Sequence, residues 1–317
     1  MTRPTSIYGT VALLAGFVLI WGTGYWPTEV ASEHTDTILL SGLRVAGSAL
    51  FLIAFALFSG AQWPRGRMLA WASGSGLVMI ALSHWGTTEA VIRAGPGNGA
   101  VVVNAAPLVV VALGWISLRE RLSLVGLAGV AIGFGGVILM VSSQLGGDID
   151  SRQLLIGVGL GAAGAVGWAI GTLILRAFVL RRSEELDMLG FTATQFVVSG
   201  IVLLAAGFAF DGAGSTNWGS GALWAALTWI GPVSGLGFAC FFAALSRMPA
   251  ARVSAPMFLI PAVAVVVEIV RGNVPTALVL LGMVLAVLGV GLVNVPREAL
   301  AAAAPRLWRH VRGAPAR

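Results

Sequence analysis

Lysine is absent from the 317 residues, cysteine occurs once, histidine three times, and only 10% of positions are charged. Each scarcity removes a class of function. A single cysteine, Cys240, cannot close a disulfide within the chain, and His34, His84 and His310 lack the close His and Cys spacings of a zinc site. No metal, cofactor or redox chemistry is expected. The formal charge of +6 comes from 19 arginines, which gather in short connections and the C-terminal tail rather than along one basic face. Nucleic acid is therefore not the expected partner. The low charge goes with 57% hydrophobic residues and a mean hydropathy of +0.92, which excludes an ordinary soluble protein.

What the chain has in abundance is long apolar sequence. It shows neither heptads nor strand alternation, and charge or Pro/Gly breaks it at short intervals. The pattern predicts an all-α membrane protein with ten transmembrane helices at roughly 8–26, 37–58, 69–92, 98–117, 122–142, 154–180, 188–210, 220–245, 252–270 and 275–295. The first apolar segment follows Met1 and Arg3 as a signal peptide would, but nine comparable segments follow it, so it is expected to stay in place. With ten crossings, the N-terminal side receives Arg3, Arg65, Arg67, Arg119, Arg121, Arg176, Arg181, Arg182, Arg247, Arg252, Arg297, Arg306, Arg309, Arg312 and Arg317. The opposite side receives Arg93, Arg152 and Arg271, together with Glu29, Glu33, Asp36, Asp148, Asp150 and Asp211. This asymmetry places both termini in the cytoplasm.

The halves of the chain resemble each other. At an offset of 154 positions Pro107 matches Pro261, Ala90 matches Ala244, Arg93 matches Arg247 and Gly135 matches Gly289; at 147, Trp21 and Gly24 match Trp168 and Gly171. Residues 1–148 would form a first five-helix repeat, 149–296 a second, and 297–317 a basic cytoplasmic tail. Five is odd, so the repeats must be inverted, the arrangement of secondary transporters that hold substrate near the midplane between halves.

These features and the run Trp21-Gly22-Thr23 resemble the drug/metabolite transporter superfamily, in particular its EamA-type exporters, including those of aromatic amino acids. Leu43-Arg44-Val45, Asn104-Ala105-Ala106-Pro107 and Arg119-Glu120-Arg121 carry the same likeness. The chain departs from the family at Glu29, where many relatives have lysine, and at Gly272-Asn273-Val274, where a Gly-Glu turn is usual. The resemblance implies export of metabolites across a bacterial inner membrane.

A charge at membrane depth is costly, about 2.5–3.5 kcal/mol for arginine at a helix centre, and usually faces a cavity. Arg44 is the strongest single candidate. It reads either as the partner of Glu29 or Glu89 or as the counter-charge of a substrate carboxylate. Glu89 stands four residues before Arg93, the spacing of a helical ion pair, and with Glu29 is also a candidate for proton coupling or gating. Glu268 and Arg271 read as surface anchors that snorkel to the interface. His84 reads as a proton relay or a packed core residue. Asn104, one turn before Pro107, reads as a substrate ligand or part of a hinge, with Pro107 and Pro261 as the hinge prolines. Trp21 and Trp168 sit deep in their helices and could sandwich an aromatic group or simply pack together. Gln195 offers one further hydrogen bond.

At the 154-residue offset His84 faces Phe238 and Asn104 faces Phe258, so one wall of the expected cavity is polar and the other apolar. That suits a small amphipathic solute. An intramembrane hydrolase would need a nucleophile beside a base, and Ser75 lies nine residues from His84 on one helix, about 13.5 Å away along its axis. A scaffold would not require an inverted repeat, and a channel should show a ring of charges or a filter segment. The expected function is therefore alternating-access export of small metabolites, with aromatic or apolar amino acids preferred. Nucleosides, cationic compounds or other drugs are the alternatives. The expected partners are the substrate, the bilayer and protons, with the protein monomeric.

Overall fold

The computed structural model describes residues 7–106, 108–109, 124–142, 150–182, 187–245 and 259–293. Every regular element among the described residues is helical. The helices are α1 (Ile7–Thr23), α2 (Tyr25–Ser32), α3 (Thr37–Phe58), α4 (Arg67–Gly76), α5 (Leu82–Ala94), α6 (Pro96–Val103) and α7 (Leu124–Ser142). They continue as α8 (Ser151–Arg182), α9 (Met188–Phe210), α10 (Gly221–Thr228), α11 (Ser234–Leu245), α12 (Ile260–Val270) and α13 (Ala277–Val293). A π-helical turn, Leu77–Ala81, joins α4 to α5, and a second, Trp229–Val233, joins α10 to α11.

Each expected segment is mainly helical where it is described. Among the described residues, five helical stretches are long and apolar enough to cross a membrane: Val11–Ser32, Thr37–Phe58, Ser151–Ile174, Met188–Phe210 and Gly221–Phe241. Shorter apolar helices occupy Leu124–Met140, Ile260–Val270 and Ala277–Gly289. The Arg67–Ala94 stretch is long but less apolar, because Ser75, Ser83, His84, Thr87, Thr88 and Glu89 all turn their polar groups into the bundle and are buried there. Lipid-facing positions are large and apolar instead, among them Leu50, Leu57, Phe58, Ile201 and Phe210.

Two segments differ from expectation. The first segment extends past residue 26 to Ser32 and breaks at Gly24, so Glu29 lies within a helix rather than in a loop. The fourth segment breaks after Val103, where Asn104 and Ala105 form a turn and Ala105 N–H bonds back three residues to the Val102 carbonyl. Helical continuity is lost ahead of Pro107, which cannot supply the N–H that the turn before it would need. Pro107 itself, Pro256, Phe258 and the Arg119–Arg121 stretch lie outside the described residues.

Close approach by glycine organises the packing. On α8, Gly157, Gly161, Gly164, Gly167 and Gly171 form one stripe; a Cβ on each would lie 2.3–3.2 Å from an atom of the Val78–Arg93 stretch. This stripe is thus consumed inside the bundle. On α9, Gly200 and Gly207 lie against Ala46 and Leu39 of α3, and on α7 Gly133 and Gly136 lie against Gly289 and Gly282 of α13. Pairings between the two halves include α1 with α11, α5 with α8, α3 with α9, α6 with α12 and α7 with α13.

Two acidic side chains tie the helix ends together. Asp211 Oδ2 accepts from the amides of Ile38 at 2.9 Å and Leu39 at 2.8 Å, capping α3 from the far end of α9. Asp187 caps its own helix through the amides of Leu189 and Gly190, and its other oxygen accepts from the Gln62 amide at 2.9 Å. Unpaired amides at a helix start attract an acidic group, so each contact fixes an end that would otherwise fray. The end of the bundle holding Glu29, Glu89 and Glu268 is called the acidic end below, and the end holding Arg65, Arg67 and Asp187 the arginine end.

Candidate functional site

The centre of the bundle is a cluster of aromatic rings drawn from five helical stretches. Trp21 of α1 meets Trp168 of α8 and His84 of α5 at centroid distances of 6.2 Å, and Phe238 of α11 at 4.8 Å. His84 lies 5.7 Å from Phe196 of α9 and 6.2 Å from Phe238. Most of these rings meet edge to face, the arrangement that sets a positive ring edge against a negative face. Trp21, Trp168 and His84, singled out from sequence by depth, therefore share one place. Trp21 meets Trp168, its counterpart at offset 147, and His84 meets Phe238, its counterpart at offset 154.

Arg44 is 6% exposed and makes no ion pair with a described residue. Neither sequence-expected partner reaches it. Glu89 accepts from Thr37 Oγ1 at 2.7 Å and from Arg93 Nε at 2.6 Å, and Glu29 pairs with Arg271 at 2.7 Å. Helix geometry gives the reason, because Thr37 lies two turns before Arg44, so Glu89 meets α3 about 10.5 Å nearer the acidic end.

Several buried polar atoms at this depth have no partner among the described residues: Nε and Nη1 of Arg44, Nε1 of Trp21 and Nε2 of His84. Their chemistry is complementary. Indole and guanidinium nitrogens only donate. His84 Nδ1 lies 2.9 Å from the Ile80 carbonyl, which only accepts, so Nδ1 carries the proton and Nε2 of the neutral ring is an acceptor. The site thus presents donors to an anionic group and one acceptor to an N–H group, between aromatic walls.

Asn104 donates to the Tyr25 hydroxyl at 2.8 Å and to the Ala100 carbonyl at 2.7 Å. Together with Pro261 it lines a small cavity of about 20 Å³, closed by Val101, Ala105, Leu108, Met283, Ala286 and Val287. Asn104 and Pro261 therefore border one cavity. Gln195 is buried and donates to Ser75 Oγ at 3.0 Å, a bond between α9 and α4.

Ionic contacts tie the acidic end together, the expected Glu89–Arg93 pair among them. Arg271 bridges Glu29 and Glu268, each at 2.7 Å, Asn273 donates to Glu268 at 3.0 Å, and the Arg271 guanidinium lies 5.5 Å from the Trp26 ring centre. Surface snorkelling is corrected for Glu268, which is 8% exposed and whose side chain approaches Gly97 at the start of α6, whereas Arg271 is exposed. On the other side, Arg93 joins Glu89 of its own helix to Gln153 of α8. Sequence reading missed Tyr25, although it stands four residues after Trp21, close to one helical turn.

The profile of the EamA-like transporter family matches residues 9–142 and again 155–295. The transporter YvbV of Bacillus subtilis is 28% identical over 302 residues, covering 93% of this chain and 94% of its own. A probable terminal-alkyne amino-acid exporter of Streptantibioticus cattleyicolor is 27% identical over 285 residues, covering 87% and 90%. One crystal structure superposes with a TM-score of 0.63 at 20% identity, over 90% of this chain and 96% of that one, a likeness of fold. With the profile matching both halves of an all-helical, apolar chain, this protein belongs to the EamA-like transporter family.

Proposed function

We propose that the protein is a secondary transporter of the bacterial inner membrane that exports small amino acids with aromatic or apolar side chains. Ten spans form two inverted five-helix halves, 1–148 and 149–296, with both termini and the basic tail 297–317 on the cytoplasmic side. The helix pairings support this reading: exchanging the first five segments for the last five maps α1 with α11 onto α8 with α5, and leaves α3 with α9, α6 with α12 and α7 with α13 unchanged. Contact between repeat-equivalent residues, Trp21 with Trp168 and His84 with Phe238, is what a two-fold axis through the centre requires.

One observation carries the substrate assignment: the partnerless polar atoms of Trp21, Arg44 and His84 around the aromatic cluster. Buried polar atoms are normally satisfied, and a group left orphaned in the middle of a bundle calls for a ligand. An α-amino acid supplies what is missing. Its carboxylate would sit on Arg44 and the Trp21 N–H, its ammonium on His84 Nε2, and its side chain among Trp168, Phe196 and Phe238. Asn104 and Gln195 line the approaches, Pro107 and Pro261 mark the hinge, and Glu89 and Glu29 serve as gate or proton-coupling groups at the acidic end. The relative from Streptantibioticus cattleyicolor, named for an amino-acid substrate, supports the same class.

The central rings touch and the acidic end is tied shut, so the halves must rock apart to admit or release solute. The test is uptake and counterflow of labelled tryptophan, phenylalanine, threonine and a nucleoside in proteoliposomes, with and without a pH gradient. Saturable counterflow of the aromatic amino acids is expected. Counterflow of the nucleoside alone would overturn the assignment.

A further inference from the structure

Several helix-borne hydroxyls in this protein satisfy themselves locally. Those of Thr28, Thr87, Thr88, Thr172 and Thr194 each donate to the carbonyl four residues back, the usual solution for a hydroxyl in an apolar bundle. Thr192 and Ser199 do not. Both are buried on α9, at 1% and 0% exposure, and neither hydroxyl has a partner among the described residues. Gln195 stands between them, so the three polar residues follow steps of three and four and share one face of the helix.

That face connects two places already described. Phe196, adjoining the stripe, touches His84 and Phe238 in the aromatic centre. At the other end, Phe191 and Asp187 line a cavity of about 590 Å³ at the arginine end, together with Trp63, Arg65 and Met68. Met68 of α4 opens on this cavity, and Ser75, seven residues further along α4, receives the Gln195 bond. The passage is shut there, since a Cβ on Gly76 would lie 2.9 Å from Gln195 Cα. The π turn Leu77–Ala81 begins at the next residue, and π turns inside helices are frequent at functional sites. The second π turn is held in the same manner. Ser48 Oγ donates to the Gly231 carbonyl at 2.9 Å, a Cβ on Gly47 would lie 2.9 Å from Gly231 Cα, and Gln195 follows Ser48 by 147 positions, the offset of Trp21 and Trp168.

We infer that solute passes between the arginine-end cavity and the aromatic centre along the Thr192, Gln195 and Ser199 face of α9, and that the Gln195–Ser75 contact is the point where this route closes. The inference rests on the transport reading above. Water or the polar part of the solute satisfies the two orphaned hydroxyls when the contact opens, and the π turn after Gly76 supplies the give.

The test is thiol labelling in a Cys240→Ser background, in membrane vesicles of both orientations, with a small charged methanethiosulfonate. Thr192→Cys and Ser199→Cys exchange a hydroxyl for a thiol, and Ile201→Cys on the lipid face of α9, 62% exposed, is the control. Both route positions should react at least about tenfold faster than the control. Gln195→Ala should raise the Ser199→Cys rate about three- to tenfold, the open-state gain from losing one neutral hydrogen bond, and leave Thr192→Cys nearly unchanged. Ser75→Ala removes the same bond from the other side and should act alike, which guards against misfolding of either variant. Reaction no faster than Ile201→Cys, or a Ser199→Cys rate indifferent to both substitutions, would overturn the inference. Labelling uses no transported solute, so failed amino-acid counterflow with this pattern intact would reject the substrate assignment alone.

Discussion

Replacing Arg44 by methionine separates a structural role from a binding role, because the two predict stability changes of opposite sign. Methionine keeps the length and flexibility of the side chain and removes the charge. In the resting protein the guanidinium is buried with Nε and Nη1 unpartnered and no carboxylate within ion-pair distance among the described residues. An unsatisfied buried polar group costs about 1–3 kcal/mol, more for a charged one, so its removal should raise the unfolding temperature of the purified protein by a few degrees. The same change deletes a charge-assisted contact to the substrate carboxylate worth about 1.5–3 kcal/mol, a loss of roughly ten- to a hundredfold in affinity. Tryptophan fluorescence during heating reads the first effect and phenylalanine counterflow the second. Saturating phenylalanine should stabilise the wild type and not the variant. A lowered unfolding temperature with counterflow kinetics intact would refute the reasoning and make Arg44 a structural residue.

Other sites give sharper local tests. Gly86→Val should cut the yield of folded protein severely, since a Cβ there would lie 2.5 Å from the Leu160 carbonyl, whereas Gly135→Ala, with nothing within 4 Å, should be tolerated. Asp211→Ala uncovers two amides at the start of α3 and should lower stability by about 0.5–2 kcal/mol, with most of it restored in Asp211→Asn; equal melting of all three proteins would contradict the cap. Glu89→Gln should transport without regard to an imposed pH gradient, and an unchanged gradient response would remove Glu89 from coupling.

Much of this architecture is legible in the sequence because hydropathy and proline act locally. The helical segments, the depth of Arg44 and the grouping of Trp21, Trp168 and His84 all follow from position along an apolar helix. The partners of the charges do not, since they depend on how helices align across the bundle. Glu29 lies near Arg44 in sequence terms yet meets Arg271, because Tyr25–Ser32 carries it on to the end of the bundle where the α12 terminus lies. Both π turns were equally hidden: Leu77–Ala81 has no proline, and Trp229–Val233 has Pro232 in a stretch that reads as a plain apolar helix. Gln195 was noted for its polarity, but only the backbone contact at Gly76 reveals Ser75 as its partner.

The central claim is that partnerless groups on Trp21, Arg44 and His84 hold both charges of a zwitterion between aromatic walls. Competition against labelled phenylalanine counterflow tests it most directly, using phenylalanine, phenethylamine and phenylpropionate as competitors. Unlabelled phenylalanine should compete, and the amine and the acid, each lacking one charge, should compete at least tenfold more weakly, about 1.4 kcal/mol. Competition by phenethylamine equal to that of phenylalanine would contradict it, since Arg44 would then have no carboxylate to bind.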